Sequence, residues 1–134
     1  MFPYFPSLVH SVFYYPMIMT MLIVDDSKPI REIVKRLFKH KASYIYECED
    51  GAEAFASYEQ HHPDWVLMDI AMKQVDGITA TKNIIAVYPH ARIIILTQYD
   101  DPFFREEAKI AGACGYVVKE NLMELNLMLE QIKK

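Results

Sequence analysis

Five residues of this 134-residue chain stand where a short apolar run stops, and their types suit one chemistry. Asp25 and Asp26 close the run that starts at Met21, Asp69 closes Val66-Leu67-Met68, Thr97 follows Ile93-Ile94-Ile95-Leu96, and Lys119 follows Tyr116-Val117-Val118. If those runs are strands of one sheet, three carboxylates, a hydroxyl and an amine converge at its carboxyl edge. The carboxylates repel one another: two unit charges about 4 Å apart cost about 4 kcal/mol at an effective dielectric near 20. Lys119 offsets part of this, and a divalent hard ion with oxygen ligands would offset the rest, Mg2+ being expected where phosphate is handled. A carboxylate beside Mg2+, an ammonium and a hydroxyl is a nucleophile arranged for phosphoryl transfer, with an aspartyl phosphate as product.

Taken one at a time, these residues have plainer roles. An Asp at a strand end commonly caps a turn or helix, so Asp26 could be no more than a cap, and a lone Lys is usually a solvated charge. One set at each successive strand end reverses that weighting.

The elements that must position them follow from the hydrophobic pattern. Residues 21–24 form a four-residue apolar run, as a strand buried on both faces does. Ser27 caps the next helix, Pro29 fits its first turn, and Ile30, Ile33, Val34, Leu37 and Phe38 recur on one helical face. Residues 44–49 alternate in character, which suits an edge strand. After Asp50-Gly51 turns the chain, a helix runs through Ala52, Phe55 and Ala56 to His61, where Pro63 prevents its continuation. Residues 65–68 form the strand that delivers Asp69, and a helix over 77–88 follows the loop 70–76. The run at 93–96 is the most apolar and therefore central. Asp101-Pro102 opens a further helix that Gly112 ends, residues 116–118 form the last strand, and a helix covers 122–132. In that helix Leu122, Leu125, Leu129 and Ile132 face the sheet, which leaves Met123, Leu127 and Met128 towards the surface for a partner or dimer contact. Five strands alternating with five helices predict an α/β, flavodoxin-like (βα)5 fold. Its parallel sheet has the order 2-1-3-4-5 with helices on both faces, and ligands bind outside the carboxyl ends near the switch between strands one and three.

Composition narrows the function. Hydrophobic residues make up 52% and charged residues 24%, and a formal charge of -4 leaves no basic surplus for direct nucleic-acid binding. Cys48 and Cys114 have neither CxxC nor zinc spacing and are expected as buried core thiols in a reducing compartment. Residues 1–24 contain no Asp, Glu, Lys or Arg, a length that would admit a membrane span of about 20 residues. Pro3, Pro6 and Pro16 interrupt that stretch, and its last residues are needed as a strand, so membrane contact is disfavoured. Residues 1–18 are expected as an apolar arm or an over-extended start, and residues 19–134 as the folded domain.

The chain resembles a two-component response-regulator receiver domain, of the kind found in chemotaxis regulators, over residues 19–134. The resemblance rests on Leu22-Ile23-Val24-Asp25-Asp26-Ser27, Val66-Leu67-Met68-Asp69, Asp76-Gly77, Ile95-Leu96-Thr97 and Gly115-Tyr116-Val117-Val118-Lys119, an ordered and specific set. It implies a cytoplasmic signalling switch rather than an enzyme. Asp69 would be the phosphoacceptor, served by a sensor histidine kinase or phosphotransfer protein. Mg2+ would be held by Asp25, Asp26, Asp69 and the backbone carbonyl of Ala71. Lys119 would contact the phosphoryl group, Thr97 would swing in to hydrogen-bond it, and Tyr116 would rotate from outward to inward. The surface around helix four, strand five and helix five would then change for an output partner or a homodimer.

Three positions depart from the family pattern. Met72-Lys73 stands where Met-Pro is usual, which puts the rigidity of that loop in question. Glu120 follows Lys119 where Pro is frequent, so no cis peptide is expected there. Gln98 replaces the usual small residue after Thr97, which predicts restricted access of water and a long-lived phosphorylated form. Rival readings are an aspartyl-nucleophile phosphatase, a flavin or nucleotide binder, and a degenerate receiver used for docking. The first lacks a second acid at Ala71, the second lacks a glycine-rich phosphate loop after strand one, and the third is opposed by the complete residue set.

Overall fold

Successive residues of the apolar runs are buried against opposite layers of helices, and this alternation builds the fold of the computed structural model, which describes residues 19–132. The expected arm at residues 1–18 lies outside the described residues. The elements are β1 (Thr20–Val24), α1 (Lys28–Leu37), β2 (Tyr44–Cys48), α2 (Gly51–His61), β3 (Trp65–Met68), α3 (Gly77–Val87), β4 (Ile93–Thr97), α4 (Pro102–Ala111), β5 (Gly115–Val118) and α5 (Met123–Ile132). A 3-10 turn, Lys119–Asn121, joins the last two. The strands form one parallel sheet in the expected order β2-β1-β3-β4-β5.

Leu22, Val24, Val66, Met68, Ile93 and Ile95 point to one layer, where Ala54 and Tyr58 of α2, Ala80 and Ile84 of α3 and Ala108 of α4 close over them. Met21, Ile23, Leu67, Ile94 and Leu96 point to the other, under Val34 and Phe38 of the α1 segment and Leu125 and Leu129 of α5. Burying each large aliphatic or aromatic side chain contributes roughly 1.5–3 kcal/mol, so the inner strands β1, β3 and β4 anchor the domain. At the edge, β2 exposes Tyr44 and Glu47 and buries only Cys48, which accounts for its alternating sequence.

Side-chain caps start the helices at the carboxyl edge of the sheet. Ser27 Oγ accepts the Ile30 N–H at 3.3 Å, Asp76 Oδ1 accepts that of Thr79 at 2.8 Å, and Asp101 Oδ1 accepts that of Phe103 at 2.8 Å. Gly112 ends α4 with a φ of 105°, a left-handed conformation that glycine adopts without strain.

The structure corrects several local expectations. Cys114 is exposed, because it lies in the turn before β5 and only Cys48 reaches the core. Ile33 sits on the exposed flank of α1, since the helix is narrow against the sheet and Val34 and Phe38 fill the contact. Tyr88 is the C-cap of α3 rather than its last residue. The last helix begins at Met123, one residue later than expected, after the 3-10 turn. On α5, Met123 and Leu127 are exposed as expected, whereas Met128 packs towards the core. The side chain of Ile132 lies outside those described. No cis peptide occurs among the described residues, in keeping with Glu120 after Lys119.

Candidate functional site

The sheet order puts β1 beside β3, and the chain beyond each of them turns away in an opposite direction, so the residues following these two strands face a common crevice. Asp25 and Asp26 follow β1 and Asp69 follows β3. Ligand oxygens of the three carboxylates lie within 4.8 Å of one another. Asp25 is 1% exposed and Asp69 5%, whereas Asp26 faces solvent. Backbone donors orient the two buried acids: Ser27 N–H donates to Asp25 Oδ1 at 2.8 Å and Ile70 N–H to Asp69 Oδ1 at 2.9 Å.

Lys119, delivered by β5, spans the crevice. Its Nζ lies 2.9 Å from Asp25 Oδ2 and 3.5 Å from Asp69 Oδ1. The contact with Asp25 is an ion pair, and no further donor reaches the fully buried Asp25 Oδ2. Buried carboxylates are costly, and one cation, bridging Asp25 and Asp69, leaves an excess of negative charge over the three acids. Asp69 registers it: burial, followed by the charge of Asp25, raises its pKa from 3.8 to about 6, against the opposing pull of Lys119 and the Ile70 N–H. Three carboxylate oxygens within 4.8 Å of one another, under-neutralised by one ammonium, fit a hard divalent cation.

Thr97, at the end of β4, is fully buried and pairs in register with Val118, the residue before Lys119. Its Oγ1 accepts the Tyr99 N–H at 3.4 Å. The half-buried Tyr116 donates its hydroxyl to the Tyr99 carbonyl at 2.7 Å, and the Arg105 guanidinium stacks 4.6 Å from its ring centroid. Thr97 and Tyr116 therefore grip the two sides of one residue's backbone. Ala71 is exposed in the loop after Asp69, and Gln98 is exposed beside Thr97.

For three residues the supporting contact was not visible in the sequence. Arg31 reads as an ordinary helix charge, yet it is buried: Nη1 donates to the Asp25 carbonyl at 2.7 Å and Nε to Glu47 Oε1 at 2.8 Å. Gly77 is required because a Cβ there would overlap the Asp69 carbonyl, so α3 starts pressed against the acid's own backbone. Asp50, placed in a turn by sequence, also accepts hydrogen bonds from the loop that follows Asp69.

This sheet order, with acids at the switch point and a lysine across them, defines a flavodoxin-like α/β domain with an acidic site at its carboxyl edge. The family model of the response regulator receiver domain matches residues 21–131, and the chain belongs to that family, the receiver domain of two-component response regulators. Chemotaxis protein CheY of Bacillus subtilis is 39% identical over 114 residues, covering 84% of this chain and 93% of that protein. Transcriptional regulatory protein DegU of Brevibacillus brevis is 34% identical over 114 residues, which are 84% of this chain but 48% of DegU. The chain thus spans about half the length of that relative. Among solved structures, the CheX–CheY–BeF3–Mg2+ complex from Borrelia burgdorferi superposes with a TM-score of 0.77 at 28% identity, over 87% of this chain and 90% of that one. No helix among the described residues is long and apolar enough to cross a membrane.

Proposed function

We propose that the domain, residues 19–134, is a cytoplasmic phosphorylation switch in which Asp69 accepts a phosphoryl group from a phosphohistidine on a sensor histidine kinase or phosphotransfer protein, with Mg2+ as cofactor. The observation that carries this reading is the cluster of three carboxylates with Lys119 set between the two buried ones. Asp25, Asp26, Asp69 and the Ala71 carbonyl would hold the metal, which supplies charge neutralisation for the phosphoryl oxygens. A metal-bearing solved relative, the Borrelia burgdorferi CheX–CheY–BeF3–Mg2+ complex, supports the choice of ion.

The step belongs to Asp69. Its Oδ1 is held by the Ile70 N–H and faces Lys119, leaving Oδ2 to attack phosphorus. The new O–P bond forms as the P–N bond of the phosphohistidine breaks, and the imidazole leaves with that electron pair. Lys119 turns from the carboxylates to the transferred phosphoryl oxygens and stabilises their charge. Thr97 releases the Tyr99 N–H to hydrogen-bond the phosphoryl group. That release reaches Tyr116 through the Tyr99 carbonyl and alters the surface of α4, β5 and α5, where exposed Phe103, Ile110, Met123 and Leu127 provide a face for an output partner or a second copy.

The test is incubation with acetyl phosphate as a small phosphodonor, with Mg2+ or with excess chelator, followed by intact mass. A single phosphoryl adduct that requires the metal is expected. An adduct of equal yield in chelator, or none in either condition, contradicts the reading.

A further inference from the structure

The loop from residue 70 to residue 76 carries the Ala71 carbonyl, and Lys73 in it stands where a rigid proline would be expected. Its base is closed by the Gly77 N–H, which donates to the Ile70 carbonyl at 2.9 Å. Its far side is held by one residue from elsewhere in the chain, the N-cap of α2. Asp50 Oδ2 accepts the Gln74 N–H at 2.9 Å and Oδ1 accepts the Val75 N–H at 3.0 Å, while the same Oδ1 caps α2 by accepting the Ala52 N–H at 2.9 Å. The next residue completes the dock: a Cβ on Gly51 would overlap the Val75 carbonyl oxygen, so only glycine lets the loop seat against the start of α2. Capping α2 requires one oxygen and no approach by the loop; the second oxygen and the bare Gly51 serve the loop.

We propose that Asp50 is a positioning residue for the metal site, fixing the loop so that the Ala71 carbonyl is presented beside Asp69. This inference rests on the phosphoacceptor reading above. The carboxylate's state agrees with it: partial burial alone would raise its pKa, but the backbone N–H donors of Gln74, Ala52, Val75 and Lys73 hold it below the usual carboxylate range. Asp50 touches neither metal nor phosphoryl group. It acts as outer-shell partners of metal sites do, by orienting a ligand that does.

The variant Asp50→Ser separates the two roles, because serine caps a helix as well as aspartate but its single short oxygen cannot also reach Gln74 and Val75. Calorimetric Mg2+ titration of Asp50→Ser is expected to show roughly tenfold weaker binding than wild type. In metal-free protein, amide hydrogen exchange at residues 70–77 should quicken while the α2 amides keep their protection. Should Asp50→Ser fail to fold, Asp50→Asn retains the Oδ1 contacts and turns an amide NH2 towards the Gln74 N–H, and it should show the same two changes to a smaller extent. Mg2+ affinity within about twofold of wild type in the folded variant overturns the inference. Unchanged exchange at residues 70–77 overturns it as well. Wild type that binds Mg2+ and takes up phosphoryl, beside an Asp50→Ser variant that does both equally well, removes only this inference. Wild type that binds no Mg2+ removes the underlying reading with it.

Discussion

Lys119 Nζ sits 2.9 Å from Asp25 Oδ2, closer than to Asp69, so a carboxylate that would serve the metal is already paired with an ammonium. Ammonium and metal therefore compete for Asp25. Replacing Lys119 by methionine should lower the apo thermal midpoint, because Asp25 and Asp69 lose their shared cation, and should tighten Mg2+ binding by about tenfold, or 1.4 kcal/mol. The same variant should slow phosphoryl uptake by roughly 100-fold through the loss of a positioned donor. Magnesium titration beside phosphorylation kinetics checks both signs; weaker Mg2+ binding would contradict the competition.

Asp69 ties stability to pH. Its folded pKa, raised to about 6, lies above the unfolded value of 3.8, so the protonated acid favours the folded metal-free state. That contribution is fully present below about pH 4 and is lost as pH rises through about 6. The gap between the folded and unfolded values corresponds to roughly 3 kcal/mol. Urea unfolding of wild type and Asp69→Asn in chelator from pH 4 to 8 should show a widening advantage for the asparagine variant, saturating above pH 7. Parallel curves would refute it.

Because the metal needs the ionised acid, Mg2+ affinity should weaken towards low pH, approaching tenfold per pH unit well below pH 6. Titration at a series of pH values reads this directly, and an affinity flat between pH 5 and 7 speaks against Asp69 as a ligand.

Gln98 is exposed next to the buried Thr97, and the expectation that its side chain restricts water's approach to the phosphoryl group has a direct kinetic test. Dephosphorylation of Gln98→Ala, followed by intact mass after removal of the phosphodonor, should be severalfold faster than that of wild type. An unchanged or slower rate removes the idea of a long-lived phosphorylated form built on this residue.

Arg31→Met should cost about 1–3 kcal/mol in urea unfolding, the penalty for leaving the buried Asp25 carbonyl without its donor. A loss below about 0.5 kcal/mol, in the range of neutral surface substitutions, would show that another group replaces the guanidinium.

What could be read in advance divides along physical lines. Strand identity and order followed from local pattern, since Ile93 to Leu96 admits little but a central strand and the alternation at Tyr44 to Cys48 fits an edge. Caps such as Ser27, Asp101 and Gly112 are one-turn interactions and were equally visible. The network around the acids was not, because it joins residues distant in the chain. Nothing near Asp50 announces the amides of Gln74 and Val75, and nothing near Arg31 marks it as buried beneath Asp25. Cys114 failed for the opposite reason: its type favours burial, but one residue of register before β5 left it exposed.

Asp69, as the group that takes the phosphoryl, is the centre on which every other role depends. Intact mass of wild type and Asp69→Asn, each incubated with acetyl phosphate and Mg2+, tests this most directly. One phosphoryl adduct on wild type and none on a folded Asp69→Asn variant is the predicted result. An adduct of equal yield on the variant would place the acceptor elsewhere and contradict the assignment of Asp69.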